Sequence, residues 1–450
     1  MIINTKNLLL KTFSKSLVNQ DYYNWFNDHD VKKYIKFKPK NIHDLKKSVD
    51  KIIKEKNSYF FAIFYKSTHI GNVRIHNINK NTNEAWLGIL IGNKLFRKRG
   101  YSKEVITFIQ SWLLKRQIYF LKLGVEKSNV AALKLYQKCN FQIHQKTQQH
   151  YIMINKIFLS KFILGAAQFN SKYGVTNFNR KNMKRSETNK ILNYLSTKSS
   201  INELDSATNY KIDQKNLDLL KKKIYLNTKI LTTEKISYSK LKNFFDQANT
   251  NQKITINTVF IHDGDNVLTR KGIELLNKLK KLKKNKKIMK VGLSIHKYEN
   301  LLSIINKVSF DVIQLPYNFV DRRAEVYFSK LKDKNIEIQV RSIFLQGSLL
   351  TKVSTNKKLS VIFEKFNQLS QNKHINRLRY ILSFILRSRY IDKVIIGIRD
   401  LKELKQINNI NFFYNSVNAL NKLKSSDQKI INPLEWKELV LDEKKSIKSI

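Results

Sequence analysis

From Phe162 onward the chain repeats one pattern eight times, a short apolar β-rich run followed by a stretch of helical spacing. The runs are Phe162–Ala166, Ser200–Leu204, Ile224–Thr228, Thr258–Ile261, Met289–Ser294, Phe310–Leu315, Ile336–Ser342 and Val394–Ile398. Between them, segments such as Ile273–Leu282 and Leu301–Val308 carry apolar residues three and four apart, the period of a half-buried helix. Strands and helices alternating in this number predict an α/β fold, a parallel (β/α)8 TIM barrel of ordinary size.

Such a barrel gathers its chemistry at one mouth, where the C-terminal ends of the strands converge. Four residues fall at or just beyond those ends. Asp205 closes the second run with Tyr210 shortly after it, Lys229 ends the third and His262 ends the fourth. Their types complement one another. A nearby Lys ammonium lowers the pKa of a Tyr from about 10, a buried carboxylate holds that Lys, and a His orients a carbonyl. Singly, an Asp–Lys pair is more often a surface ion pair and a strand His is more often core. Four together, in order at successive strand ends, point to protonation of a carbonyl oxygen alongside hydride transfer.

Longer motifs support that reading. Phe162-Ile163-Leu164-Gly165-Ala166-Ala167-Gln168-Phe169 is followed by Asp205-Ser206-Ala207-Thr208-Asn209-Tyr210, Thr228-Lys229, Ile261-His262-Asp263 and Val291-Gly292-Leu293-Ser294. Then come Gln314-Leu315-Pro316-Tyr317-Asn318, Arg341-Ser342-Ile343-Phe344-Leu345-Gln346-Gly347 and Ile395-Ile396-Gly397. In order and spacing this resembles the aldo/keto reductase superfamily, over roughly residues 160–415. The resemblance implies NADP(H) or NAD(H) as cofactor, Tyr210 as general acid tuned by Lys229 and Asp205, and His262 positioning the substrate. It also implies that Ser294 and Gln314 hold the carboxamide and that Arg341 packs on the nicotinamide face. Gly397 and Arg399 would lie by the adenosine phosphates, the Arg favouring a 2′-phosphate. Ile295 stands where the family often has Asn, and Lys211 where a Gly usually follows the Tyr.

Residues 1–156 read as a separate α+β module, with the barrel in 160–450. The stretch Thr5–Lys11 opens the module, Tyr59–Tyr65 and Ala85–Gly92 read as strands, and a last strand lies near Tyr151–Ile154. Lys103–Lys115 reads as a helix with Val105, Ile106, Phe108, Ile109, Trp112 and Leu113 on its apolar face. Between strand and helix lies Arg97-Lys98-Arg99-Gly100-Tyr101-Ser102, a loop able to turn backbone N–H groups and basic side chains toward an anion at a helix N-terminus. Alone the pattern is weak. It is followed by Asn129-Val130-Ala131-Ala132-Leu133-Lys134-Leu135-Tyr136-Gln137-Lys138-Cys139-Asn140-Phe141. Together the two resemble the GCN5-related N-acetyltransferases, in particular the branch of ribosomal-protein and nucleotide-sugar acetyltransferases.

That resemblance implies that Arg97, Lys98, Arg99, Gly100, Tyr101 and Ser102 cradle the pyrophosphate of acetyl-CoA. It implies that Asn129 contacts the cofactor and that Tyr136 protonates the leaving thiolate. The acceptor amine must lose a proton before it attacks, which calls for a base. Glu84, at the start of the strand leading to the loop, is the candidate, weighed against a solvated strand end. Trp86 is expected in the core.

The single cysteine, Cys139, excludes an intramolecular disulfide and suits a reducing cytoplasm, and with nine scattered His it offers no metal cluster. No apolar run approaches the roughly 18 residues of a membrane span. The formal net charge of +51 comes from Lys spread along the whole chain. Even its densest run, Lys278–Lys287, falls at a predicted helix end toward the base of the barrel, so a solvated face is expected rather than a specific nucleic-acid surface. The charge suits small phosphate-bearing substrates. An amine acetyltransferase fused to a carbonyl reductase implies two steps on one small molecule, for which a nucleotide-linked amino or keto sugar of surface-glycan synthesis fits both halves. The alternative is a protein acetyltransferase, acting on a ribosomal N-terminus, fused to a dinucleotide-sensing barrel with little turnover.

Overall fold

The computed structural model describes residues 1–167, 169, 183–207, 220, 223–234, 236–250, 254–350, 357–371, 373–410 and 417–432. Contacts divide the chain into two compact units, Met1–Phe158 and Leu159–Ile450.

The first unit is built on an eight-stranded sheet of order β1-β2-β3-β4-β5-β6-β8-β7. The strands are β1 (Ile2–Asn4), β2 (Leu9–Thr12), β3 (Tyr59–Tyr65), β4 (Thr68–Asn79), β5 (Glu84–Ile91), β6 (Phe120–Glu126), β7 (Gln142–Lys146) and β8 (His150–Lys156). Helices α1 (Gln20–Asn27), α2 (His29–Lys32) and α3 (Ile42–Lys54) precede β3. Helix α4 (Tyr101–Leu114) follows β5, and α5 (Val130–Lys138) follows β6. Alternation along β5 decides the two faces. Ala85, Leu87 and Ile91 join the core under α4, which contributes Val105, Ile106, Ile109, Trp112 and Leu113. Glu84, Trp86, Gly88 and Leu90 point the other way, and Leu90 packs beside Tyr22, Trp25, Leu45 and Val49. Gly92 is required by that second core, since a Cβ there would lie 2.0 Å from the Trp25 ring.

One pairing differs from the rest of the sheet. β5 and β6 are parallel, while the other neighbours are antiparallel, and they pair only at Glu84↔Phe120, Ala85↔Leu121 and Trp86↔Lys122. Past Trp86 and Lys122 the strands diverge into a V. Gly88 and Gly124, two residues beyond the last pair on each arm, both face open space.

The second unit is a closed parallel barrel, order β10-β11-β12-β13-β14-β15-β16-β9. Its strands are β9 (Phe162–Gly165), β10 (Glu203–Asp205), β11 (Ile224–Ile230), β12 (Ile254–Ile261), β13 (Lys290–Ser294), β14 (Val312–Pro316), β15 (Glu337–Arg341) and β16 (Lys393–Gly397). The eight expected runs all appear, in order, with ends shifted by a few residues. Outer helices include α6 (Arg185–Thr197), α7 (Tyr238–Thr250), α8 (Arg270–Lys284), α9 (Leu301–Lys307), α10 (Phe328–Asp333), α11 (Lys357–Ser370), α12 (His374–Arg387) and α13 (Leu401–Asn408).

The lysine-rich run belongs to the C-terminal half of α8. Leu275, Leu276, Leu279 and Leu282 bury one stripe of that helix, each contributing about 1.5–3 kcal/mol. Its lysines reach across to neighbours: Lys283 to Asp311 at 2.5 Å, Lys280 to Ser309 at 2.9 Å, and Lys287, just past the helix, to Asp246 at 2.6 Å. Among the described residues no helix is long and apolar enough to cross a membrane, and no His, Cys, Asp and Glu group is arranged to hold a metal.

Candidate active sites

The C-terminal ends of the barrel strands bring Asp205, Lys229 and His262 to one mouth. Asp205 is the last residue of β10, Lys229 the penultimate residue of β11, and His262 the first residue past β12. Asp205 and Lys229 are both buried and paired, Lys229 Nζ donating to Asp205 Oδ2. The other carboxylate oxygen, Oδ1, accepts from Gln314 Nε2 at 3.2 Å. Both oxygens of a buried charge are therefore bonded, which is what keeps such a pair tolerable inside a protein. Burial pushes the Lys229 pKa below its ordinary value, and the Asp205 charge opposes that shift. Burial, then the Lys229 and Arg341 charges, lower the pKa of His262 and favour its neutral form. Tyr210 lies outside the described residues.

Ser294 and Gln314 stand side by side in the register of β13 and β14. Both are buried, and Ser294 Oγ and Gln314 Oε1 have no hydrogen-bond partner. Leaving such atoms unsatisfied costs about 1–3 kcal/mol each, a cost that a bound ligand can relieve. Arg341, at the end of β15, donates to Ile295 O at 2.9 Å and to His296 Nδ1 at 3.0 Å. Gly397 ends β16 and is exposed, while the Arg399 side chain is tied to Glu403, Nε to Oε1 at 2.7 Å. A phosphate at Arg399 would compete with that carboxylate.

In the first unit, Lys98 and Gly100 both take left-handed backbone, φ +59° and +84°. Gly100 starts α4 with no side-chain cap, so the first-turn N–H groups stay open to an anion. Lys98, Arg99, Tyr101 and Ser102 flank that turn, and Arg99 lies over the Phe96 ring at 5.8 Å. Arg97 does something different from the expected contact with pyrophosphate. Its Nε bonds Ile91 O at 3.0 Å, its Nη2 bonds Gly92 O at 2.6 Å, and its Nη1 reaches Asp28 Oδ1 at 3.3 Å. The guanidinium is committed to bracing the end of β5. Burial alone would raise the Asp28 pKa, but bonds from Arg97 and Lys94 hold it below the usual carboxylate value.

The remaining candidates of this unit are Asn129, Tyr136 and Glu84. Asn129 caps α5, its Oδ1 accepting from Ala132 N at 3.0 Å. Tyr136 lies on α5 with its pKa raised to about 12, chiefly by burial, so it keeps its proton at neutral pH. Glu84 sits where the V closes, paired through Oε1 with Lys122 at 2.9 Å. Trp86 departs from expectation. It is half-buried and belongs to neither apolar cluster of the unit, standing on the same face as Glu84 and Gly88.

Residues 161–426 match the model of the aldo/keto reductase family. The chain belongs to the aldo/keto reductase family. Residues 7–142 match the GNAT acetyltransferase domain, so this aldo/keto reductase carries an N-acetyltransferase in the same chain, and both halves are enzymes. Aldo/keto reductases use NAD(P)H, and GNAT domains use acetyl-CoA. Solved structures similar to part of the chain include the spermidine N-acetyltransferase from Vibrio cholerae with CoA and spermine. It has 18% identity, covers 34% of this chain and 98% of its own, and gives a TM-score of 0.31. A ribosomal-protein α-N-acetyltransferase with coenzyme A shows 12% identity, coverage of 35% and 98%, and a TM-score of 0.32. An aminoglycoside acetyltransferase with coenzyme A shows 12% identity, coverage of 34% and 96%, and a TM-score of 0.31. No curated protein matches the chain.

The reductase mouth fits a nicotinamide on its own atoms. A carboxamide needs a hydroxyl beside its oxygen and an acceptor for its NH2, and Ser294 Oγ and Gln314 Oε1 are the two unsatisfied atoms that meet those needs. Ile295, where the family often has Asn, is buried and offers its carbonyl to Arg341 instead. Three residues here escaped the sequence reading. Asp28 anchors Arg97 from 69 residues away, a partnership without any periodic signal. His296 holds Arg341, and its place two residues after Ser294 was the available clue. His76, half-buried beside Trp86 in the β4–β5 register, is held neutral by burial and then by Arg74.

Proposed function

We propose that the N-terminal unit acetylates the amine, and the barrel reduces the carbonyl, of nucleotide-linked amino and keto sugars, with NADPH as the reductant. The pairing of an amine acetyltransferase with a carbonyl reductase on one chain supports two modifications of one class of small molecule. The observation that carries the barrel reading is the Asp205–Lys229 pair, whose charges act on His262, together with the unsatisfied Ser294 Oγ and Gln314 Oε1. In this reading the nicotinamide supplies a hydride when bound. Ser294 and Gln314 hold its carboxamide, and His262, neutral, points an N–H at the substrate carbonyl oxygen. Tyr210 gives that oxygen its proton, with Lys229 favouring the tyrosinate that results and Asp205 holding Lys229. The high positive charge of the chain draws in the diphosphate of the sugar nucleotide.

In the acetyltransferase, the backbone at Gly100–Ser102 receives the pyrophosphate and the V between β5 and β6 receives the pantetheine arm. Glu84, through the oxygen that does not hold Lys122, takes the amine proton. Tyr136 returns a proton to the thiolate as it leaves. The test is calorimetric titration of the full chain with acetyl-CoA, NADPH and NADH, followed by turnover on a panel of amino- and keto-sugar nucleotides. The expected result is two independent sites, NADPH tighter than NADH, and acetylation lost in Glu84→Gln. Failure of both halves on every sugar nucleotide in the panel removes the substrate assignment. Undiminished reduction by Tyr210→Phe removes the acid.

A further inference from the structure

Among the described residues Arg341 makes no ion pair at the reductase mouth, and the opposing charge of the Asp265 carboxylate acts on it from beyond ion-pair distance. The Lys229 charge is matched by Asp205. Asp263 is turned to Thr232 and Asn266, and Asp265 accepts the backbone N–H groups of His296 and Lys297 at 3.0 and 3.1 Å. Arg341 bonds neutral acceptors alone: Ile295 O at 2.9 Å, His296 Nδ1 at 3.0 Å and Ser342 Oγ at 3.5 Å. No carboxylate among the described residues lies within ion-pair distance of it.

The guanidinium is also held in place. Because His296 Nδ1 accepts from Arg341, the ring proton must sit on Nε2, where it donates to His262 O at 3.2 Å. Partial removal from water, then the Arg341 charge, push the His296 pKa down to about 3, so the clamp survives across the ordinary pH range. Its other anchor, Ile295 O, belongs to the residue after Ser294. In the barrel register Arg341 pairs with Pro316, two residues beyond Gln314. The fixed cation therefore lies alongside the two unsatisfied atoms that fit a carboxamide.

We propose that Arg341 makes the barrel discriminate between the redox states of its cofactor, binding the reduced form in preference to the oxidised one. This rests on the nicotinamide reading above. An oxidised nicotinamide ring carries a positive charge and a reduced one does not. A like charge fixed at the same mouth, in a partly dry site, penalises only the oxidised form. The consequence is kinetic: the reduced cofactor loads readily and the oxidised product leaves readily, which speeds turnover in the reductive direction without altering the equilibrium between carbonyl and alcohol.

The experiment measures dissociation constants of NADPH, NADP+, NADH and NAD+ for the full chain by calorimetry, without any carbonyl substrate. The wild type is expected to bind the reduced member of at least one pair tenfold or more tighter than the oxidised member. Arg341→Gln and Arg341→Met should bring that ratio within threefold, mainly by tightening the oxidised form, while Arg341→Lys retains it. Two neutral variants are included so that loss of folding in one leaves the comparison intact. A wild-type ratio near one overturns the proposal, as does a large ratio that survives in the neutral variants. Absence of binding by all four dinucleotides is a different failure, one that removes the nicotinamide reading itself and the proposal with it.

Discussion

In the proposed reading the ligand-facing atoms at the barrel mouth belong to side chains, Lys229 Nζ, the His262 ring, Ser294 Oγ and Gln314 Oε1, set at, near or just past strand ends. At the turn into α4 they belong mostly to backbone, with Lys98 and Gly100 in left-handed conformation and an uncapped helix start. The contrast follows from what each site must do. Reduction moves a proton and a hydride at one carbon, so it needs particular atoms at particular places. Holding a pyrophosphate needs several donors around a diffuse charge, and peptide N–H groups supply those whatever the side chains are. Substitution should therefore be severe and specific in the barrel. In the loop it should be mild, unless it alters backbone freedom or charge.

The largest effect is expected at Lys229. Lys229→Met should lower NADPH-dependent reduction of a reactive model aldehyde by about 10²–10⁴-fold. It also strands Asp205 as a buried, unpaired charge, at a cost of about 3–5 kcal/mol. Thermal melting separates the two consequences. The double variant Lys229→Met/Asp205→Asn removes both charges and should recover much of the stability while staying inactive. Recovery of activity along with stability would show the pair to be structural and would erase the contrast with the loop.

The loop should respond to charge more than to loss of a side chain. Ser102→Glu places a carboxylate in the first turn of α4, where it interacts well with the helix dipole and badly with a pyrophosphate. Acetyl-CoA binding is expected to weaken by tenfold or more with the melting temperature unchanged or raised, while Ser102→Ala changes binding less than threefold. Equal losses in the two variants would mean that the serine hydroxyl, and not the backbone, is the ligand. A smaller signature belongs to His262. Burial and the neighbouring Lys229 and Arg341 charges disfavour its imidazolium, so its pKa is depressed and it stays neutral above the ordinary value of about 6.5. The acid limb of kcat/KM for reduction should then fall below that pH. A limb centred at or above 6.5 contradicts this placement.

What could be read from the sequence tracks the same division. The barrel strands declare themselves by repetition, and Asp205, Lys229 and His262 by falling at strand ends, because position along a strand fixes which end of the barrel a residue reaches. Contacts made across long separations carry no such mark. Nothing in Arg97 itself announces that Asp28 will meet it, nor does Arg341 announce His296. The divergence of β5 from β6 is a property of their pairing, and Trp86 read as core because alternation does not say which face of a sheet stays uncovered. The lysines of α8 show the same limit. Their spacing gives a polar face correctly, but the partners Asp311 and Ser309 come from a segment beyond the next strand.

Arg97 supplies the finest test of the comparison, because sequence similarity assigns it to the ligand and its bonds assign it to the protein. Three contacts, to Ile91 O, Gly92 O and Asp28 Oδ1, hold the end of β5 where the loop begins. Loss of such charge-assisted bonds costs about 1.5–3 kcal/mol each at most. Because Arg97 is only partly buried, with 21% of its side chain exposed, water compensates some of that loss. Arg97→Gln should therefore lower the melting temperature of the acetyltransferase unit by a few degrees. Measured well below that melt, it should shift the acetyl-CoA dissociation constant less than threefold and flatten its salt dependence little. A phosphate ligand would behave oppositely, leaving stability intact, weakening binding by tenfold or more and reducing the salt slope by one charge. If that second pattern appears, the loop uses side chains as the barrel does, and the difference between the two sites is one of degree.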